Sequence, residues 1–317
     1  MFPGRFFVCA LFLALAPAPV PAPAQIKAAV DKAAVEPEAA YDPPARKPVA
    51  GEPFDDREII AYLEAEGRKL LTNRKIRPLK ITQKQALLAL GQPGTEKHTL
   101  AETAAQAEAA TVVLGEFYTE DKDDAVQFAS AAGGFFVSSS GILLTSLHVV
   151  NEKESRGFVA MTRDGQVYPI RSIVAVLEAE DLVALQVDAP EKTVFPTLSL
   201  ATKAAPIGSP ITVMSHPDEH SWFLSTGVVS RHSVWRNPKG DEHYTCITAD
   251  FAKGSSGCPV LDETGNVVAI VNNTESIYYD NDDKKGATDL QMVVKNATPA
   301  WIARDLFKDP AASTAKR

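Results

Sequence analysis

Gly254-Ser255-Ser256-Gly257-Cys258-Pro259-Val260 lies between two strand-like runs, Tyr244 to Thr248 and Val267 to Val271. A serine flanked by glycines between strands reads as a tight turn that pushes a hydroxyl out of the backbone. Glycine accepts the unusual dihedrals such a turn needs. It also lets a ligand approach closely and lets two backbone N–H groups point into one space. An exposed hydroxyl with paired N–H donors beside it is what a serine nucleophile requires. Gly-Ser-Ser-Gly shares its composition with flexible loops. The weight of the reading therefore comes from the surrounding chain.

From Thr111 to about Val294, short β-rich runs alternate with turn residues every ten or so positions. This predicts an all-β barrel or sandwich. The first half holds Thr111 to Leu114, Gly133 to Val137, Ile142 to Thr145, Met161 to Ile170 with the turn Asp164-Gly165, and Leu182 to Val187. A proline-containing crossover, Pro190 to Pro206, divides the region. The second half holds Ile211 to Met214, Trp222 to Thr226, Val228 to Ser230, Tyr244 to Thr248, Pro259 to Leu261, Val267 to Val271 and Leu290 to Val294. Thr298-Pro299 then opens a terminal helix over 299–307, with Trp301, Ile302, Leu306 and Phe307 on its apolar face. Residues 308–317 read as a disordered tail.

Upstream, residues 1–24 carry the three-part pattern of a secretory signal peptide: Arg5, the apolar run Phe6 to Ala16, and Ala22-Pro23-Ala24 before Gln25. The expected location is therefore secreted or periplasmic. Residues 25–53, rich in Ala and Pro, bury too little apolar surface to order and read as a linker. Residues 54–98 read as a helical N-terminal extension. Its first helix is marked by Ile59, Ile60, Leu63, Leu70 and Leu71, and its second by Thr82 with Gln85 and a stop at Gly91. Thr99 with Glu102 opens a further Ala-rich helix to Ala110.

The net charge of −8, without a dense Lys/Arg run, argues against nucleic acid as a partner. No membrane contact is expected once the signal is cleaved. Cys9 leaves with the signal, so the mature chain keeps Cys246 and Cys258. These two either bridge at the base of the serine turn or stay as buried thiols.

Three residues stand out in the order His148, Asp181, Ser256. A serine hydroxyl is a poor nucleophile at its own pKa and needs a base that titrates near neutrality. The imidazole in turn needs a carboxylate to fix its tautomer. Gly134 to Val150 resembles the trypsin-like (chymotrypsin-fold) serine protease pattern G-x-F-x-x-x-x-G-x-x-L-T-x-x-H-V-V. Asp181-Leu182-Val183-Ala184-Leu185 is similar to the D-x-A-x-L element of that family, and Gly254 to Pro259 to its G-[DN]-S-G-G-P turn. Gly208 to Ser230 resembles the first hairpins of the second barrel in exported bacterial members. The likeness covers about Thr99 to Phe307, and the order His, Asp, Ser is that of this fold.

The resemblance implies two antiparallel six-stranded β-barrels, about 111–200 and 205–297, within a protease domain over 99–307. It implies His148 as general base, Asp181 as its orienter and Ser256 as nucleophile, with the backbone N–H groups of Gly254 and Ser256 as the oxyanion hole. No cofactor or metal is implied, and the partner is a protein or peptide substrate. The oligomeric state is not readable. Asp250, six residues before Ser256, sits where a specificity-pocket acid would lie, with a structural hydrogen-bonding role as the alternative.

Three positions depart from the pattern. Ser255 replaces the Asn or Asp that in trypsin-type zymogens meets the new N-terminal amine, Cys258 replaces a glycine, and Val183 an alanine. His216 and His220 read as loop histidines rather than a metal pair. Asp280 to Asp283 fails the EF-hand spacing and reads as a solvated loop. The expected function is an exported serine endopeptidase acting through an acyl-enzyme. Two other readings stand beside it: a catalytically silent binding module on the same fold, and an esterase of narrow specificity, which peptide against ester turnover separates.

Overall fold

The strand-rich region closes into two barrels joined by the crossover. The computed structural model describes residues 44–49, 51–81, 84–119, 125–150, 155–238, 240–282 and 286–310. The signal peptide, the linker as far as residue 43, the acidic loop 120–124 and the tail from 311 lie outside them. The described residues belong to one compact unit. Among the described residues, no helix is long and apolar enough to cross a membrane.

Barrel one consists of β2 (Thr111–Thr119), β3 (Val126–Phe136), β4 (Ile142–Ser146), β5 (Ser155–Met161), β6 (Val167–Leu177) and β7 (Leu182–Val187). They close in the order β2-β3-β4-β7-β6-β5. Barrel two consists of β8 (Pro210–Ser215), β9 (Phe223–Asn237), β10 (Gly240–Ile247), β11 (Pro259–Leu261), β12 (Val267–Asp282) and β13 (Gly286–Pro299). It closes in the order β10-β13-β12-β11-β8-β9. All pairings inside the barrels are antiparallel, as expected.

Period-two alternation explains why β2 is buried on both faces. Val112 and Leu114 point into barrel one with Phe136, Leu143 and Leu185. Val113 and Phe117 point outward into a second cluster with Ile59 and Leu63. Those two residues belong to α1 (Asp56–Thr72), whose buried positions Ile59, Leu63 and Gly67 recur every four residues. Asp55 caps this helix by accepting the Arg57 N–H at 2.9 Å. α2 (Leu100–Ala110) carries the expected capping box, with Thr99 and Glu102 bonded reciprocally.

Four expectations are corrected. Among the described residues, the second helix of the extension does not form. Residues 84–90 instead run extended through β1 (Ala86–Leu87), which pairs in parallel with β14 (Phe307–Lys308). The Lys84 carbonyl also accepts the Val176 N–H. A nine-residue helix gains little by itself, so burial of Ala86 decides the conformation. The terminal helix is likewise cut to α3 (Ala300–Ala303) and one 3-10 turn, Arg304–Leu306, because Phe307 leaves to join β14. The linker reading also stops short of Pro53: Pro48 is buried, and the Arg46 N–H donates to the Glu58 carbonyl at 3.2 Å. Asp280 to Asp282 is an arm of the β12–β13 hairpin rather than a loop, with Asp282 opposite Gly286.

Candidate active site

His148 sits in the 3-10 turn Leu147–Val150 that ends β4, and Asp181 in the turn that opens β7. These strands are neighbours, so barrel one brings both to one edge. The Leu147 N–H donates to the Asp181 carbonyl at 2.9 Å, tying the two turns. Ser256 comes from barrel two, between β10 and β11. The three meet across the seam. The Asp181 carboxylate accepts the His148 backbone N–H at 2.8 Å and lies 2.5 Å from His148 Nδ1. His148 Nε2 lies 3.0 Å from Ser256 Oγ. The imidazole is half exposed and open to a ligand. Neither the Gly254 nor the Ser256 N–H donates to a partner among the described residues, so both are free for one.

Asp181 takes a left-handed backbone conformation, φ 53°, which Asp tolerates better than most residues. Its neighbour Glu180 holds the turn. The buried Glu180 carboxylate accepts the His243 N–H at 3.0 Å and lies 2.5 Å from His243 Nδ1. The Glu180 carbonyl accepts the Thr298 hydroxyl at 3.3 Å. Barrel two thus grips the turn that carries the aspartate.

Asn272 adds a further contact. Its carbonyl accepts the Ser256 hydroxyl at 3.2 Å, and its Nδ2 reaches Asp181 Oδ2 at 3.4 Å and Thr298 Oγ1 at 3.0 Å. The sequence offered no spacing signal for Asn272, Glu180 or His243. Asn272 opens an Asn-Asn-Thr triplet, but at 9% exposure it is no modification site.

The remaining candidates fall elsewhere. Asp250 is no buried pocket acid: its side chain is 88% exposed, 3.6 Å from Lys295 Nζ. Its carbonyl accepts the Ser225 hydroxyl at 2.6 Å. A Cys246–Cys258 disulfide is excluded, because β10 and β11 lie on opposite sides of barrel two. Cys246 donates toward Asn296 Oδ1 instead. Burial pushes the Cys258 thiol far up, which leaves it unreactive. Ser255 is fully buried and cannot serve as nucleophile. Among the described residues no group of His, Cys, Asp or Glu is arranged to hold a metal.

His216 lies in the loop that follows β8, as the sequence suggests, but not in solvent. It is buried, its Nδ1 accepts the Trp222 N–H at 2.9 Å, and its Nε2 donates to the Val112 carbonyl at 3.1 Å. Burial lowers its pKa from 6.5 to about 4. An imidazole with a depressed folded pKa takes up its proton first in the unfolded chain. Its contribution is therefore complete above about pH 6.5, declines as pH falls toward about 4, and levels off below. The decline approaches about 3 kcal/mol at 1.36 kcal/mol per pKa unit. Urea unfolding at pH 7 and pH 4.5 is expected to show this loss, and His216→Gln, which keeps a donor and an acceptor but does not titrate, to show much less. Equal losses in both proteins would remove His216 as the cause.

Residues 132–270 match the family model described as the trypsin-like peptidase domain. The chain is 29% identical over 147 residues to the uncharacterized protein y4bJ of Sinorhizobium fredii, covering 45% of this chain and 22% of that one. It is 27% identical over 187 residues to a probable periplasmic serine endoprotease, DegP-like, of Rhizobium meliloti, covering 57% and 34%. With the serine protease HTRA1 of Xenopus laevis it shares 28% over 146 residues, covering 45% and 31%. The matches thus span between 22% and 34% of these relatives' lengths. Among solved structures, the HtrA-type protease AlgW with decapeptide superposes with a TM-score of 0.50 at 18% identity, over 66% of each chain. That likeness is one of fold.

Proposed function

We propose that the chain, whose residues 132–270 match the trypsin-like peptidase domain, is an exported serine endopeptidase acting by acyl transfer. The observation that carries this is the unbroken line from Asp181 through His148 to Ser256, with contacts of 2.5 and 3.0 Å. Asp181 holds the proton on His148 Nδ1, which leaves Nε2 to accept the Ser256 proton. Ser256 Oγ attacks the scissile carbonyl, and the Gly254 and Ser256 N–H groups receive the developing oxyanion. His148 passes its proton to the departing amine, leaving an acyl ester on Ser256. Water then attacks that ester by the same route in reverse. No step calls for a metal or cofactor.

Export rests on the leader pattern of residues 1–24 and agrees with the periplasmic description of the Rhizobium meliloti relative. A peptide substrate agrees with the decapeptide that accompanies AlgW in its structure. The test is labelling of the purified mature protein with a fluorophosphonate probe, with Ser256→Ala as the blank. A single adduct on Ser256 is expected. Folded wild-type protein that takes no label, or label that persists in the blank, sinks the proposal and favours a silent binding module.

A further inference from the structure

Between β8 and β9, residues 216–222 form a strained loop. Three non-glycine residues, Asp218, Glu219 and Trp222, hold positive φ of 48°, 68° and 53°. Left-handed backbone is costly for such residues and persists only where surrounding contacts impose it. This loop bears directly on the serine turn. The Asp218 N–H donates to the Lys253 carbonyl at 2.6 Å. Gly254, at φ 90°, lies under the His216 carbonyl: a Cβ there would stand 2.5 Å from that oxygen and 3.4 Å from the Asp218 nitrogen. The direction of the Gly254 N–H is therefore set by residues 216–218.

The contacts that impose the strain come in part from far upstream. The Asp56 carboxylate, at the start of α1, accepts the Ser221 N–H at 2.8 Å through Oδ1 and lies 3.2 Å from His220 Nδ1 through Oδ2. Phe54 meets the Trp222 ring edge-on, with centroids 6.1 Å apart. The Arg163 guanidinium lies over both rings, at 5.0 and 5.3 Å, and is itself fixed by Glu108 at 2.6 Å. Trp222 is further anchored through Nε1 to the Thr111 carbonyl at 3.2 Å. A chain of direct contacts thus runs from Asp56 through 220–222 and 216–218 to Gly254.

We propose that Asp56 is a positioning residue for the oxyanion turn, and that residues 54–56 act as an internal latch keeping the loop 216–222, and with it Gly254, in the form that receives the oxyanion. The inference rests on the reading of Gly254 and Ser256 as oxyanion donors. It places the latch in a segment more than 150 residues from the serine, separate from the residues that move protons. Ser255 itself offers no carboxylate for such a contact, and its buried Oγ has no partner among the described residues.

The test uses the full mature chain as wild type, Asp56→Ala, Asp56→Asn and Phe54→Ala. Amide hydrogen exchange is followed in peptides covering 216–222 and 251–257 and, for comparison, β4 and β7. In Asp56→Ala, exchange in the first two is expected to rise at least about ten-fold, with β4 and β7 unchanged. Fluorophosphonate labelling should slow about ten- to a hundred-fold, short of the loss of an oxyanion donor outright. Asp56→Asn keeps an acceptor for the Ser221 N–H and is expected to restore most of both. Phe54→Ala should act in the same direction as Asp56→Ala. Unchanged exchange over 251–257 in Asp56→Ala overturns the latch, and so does a rise spread evenly over the barrels. If the wild type takes no label, the peptidase reading fails, while the exchange data still decide the latch.

Discussion

Asp181→Asn is expected to lower turnover by about 10⁴-fold while leaving the fold intact. The backbone at 181 is left-handed, φ 53°, and Asn tolerates that region as Asp does. The side chain is where the substitution fails. Asp181 accepts from three donors: the His148 N–H at 2.8 Å, His148 Nδ1 at 2.5 Å and Asn272 Nδ2 at 3.4 Å. An amide offers one oxygen and one NH₂. With its oxygen toward the His148 N–H, its NH₂ faces Nδ1, so Nδ1 must accept and the proton moves to Nε2. The nitrogen facing Ser256 Oγ at 3.0 Å then has no lone pair for the serine proton. With the amide turned over, its NH₂ meets the His148 N–H, two donors in opposition. Only the first orientation leaves every His148 group paired, and that orientation removes the base. Single-turnover labelling of Asp181→Asn beside wild type measures the loss, and thermal melts of both establish that the fold survives. A variant within ten-fold of wild type would mean that Asp181 does not set the His148 tautomer.

What could be read in the sequence was whatever leaves a local pattern. The strands of both barrels alternate or run apolar, and the capping box at Thr99 and Glu102 formed as its spacing predicts. His148, Asp181 and Ser256 were legible because each sits in a motif, and the structure brings them together. The failures share a physical cause. Thr82 with Gln85 and the run 299–307 carry helix signals, yet Ala86 and Phe307 gain more by pairing and burial than by local turns. The cysteines flank the serine turn in sequence, but barrel order separates β10 from β11. Asn272, the Glu180–His243 pair and the Asp56 contact act between residues distant in the chain, where no periodicity records them. The β-rich character follows from patterning, and the division into two barrels from the family resemblance. The joints between them follow from tertiary contacts.

Gly257→Ala tests one of those joints. Gly257 follows the serine at φ 83°, a conformation that costs an L-residue about 1–2 kcal/mol. Space is the larger obstacle. A Cβ there would stand 2.1 Å from Thr145 Oγ1 and 2.6 Å from the Gly133 carbonyl. Neither atom can withdraw cheaply. Thr145 is fully buried and donates to that same carbonyl at 2.7 Å. Gly133 is held by its own N–H, which donates to the Ser256 carbonyl at 3.1 Å, and the Gly257 N–H is held by the Val271 carbonyl at 2.8 Å. The methyl group must therefore part the two barrels at this seam, and overpacking of this kind costs about 1–3 kcal/mol more. The expected total is about 2–5 kcal/mol in urea unfolding, together with slower fluorophosphonate labelling of whatever remains folded, because Ser256 lies in the displaced seam. Thr145→Ser removes a methyl from the other side of the seam but keeps the hydroxyl bond, and combined with Gly257→Ala it should recover little, since the backbone strain and the Gly133 carbonyl remain. A Gly257→Ala protein that unfolds within about 1 kcal/mol of wild type would mean that the barrels separate more easily than these contacts imply.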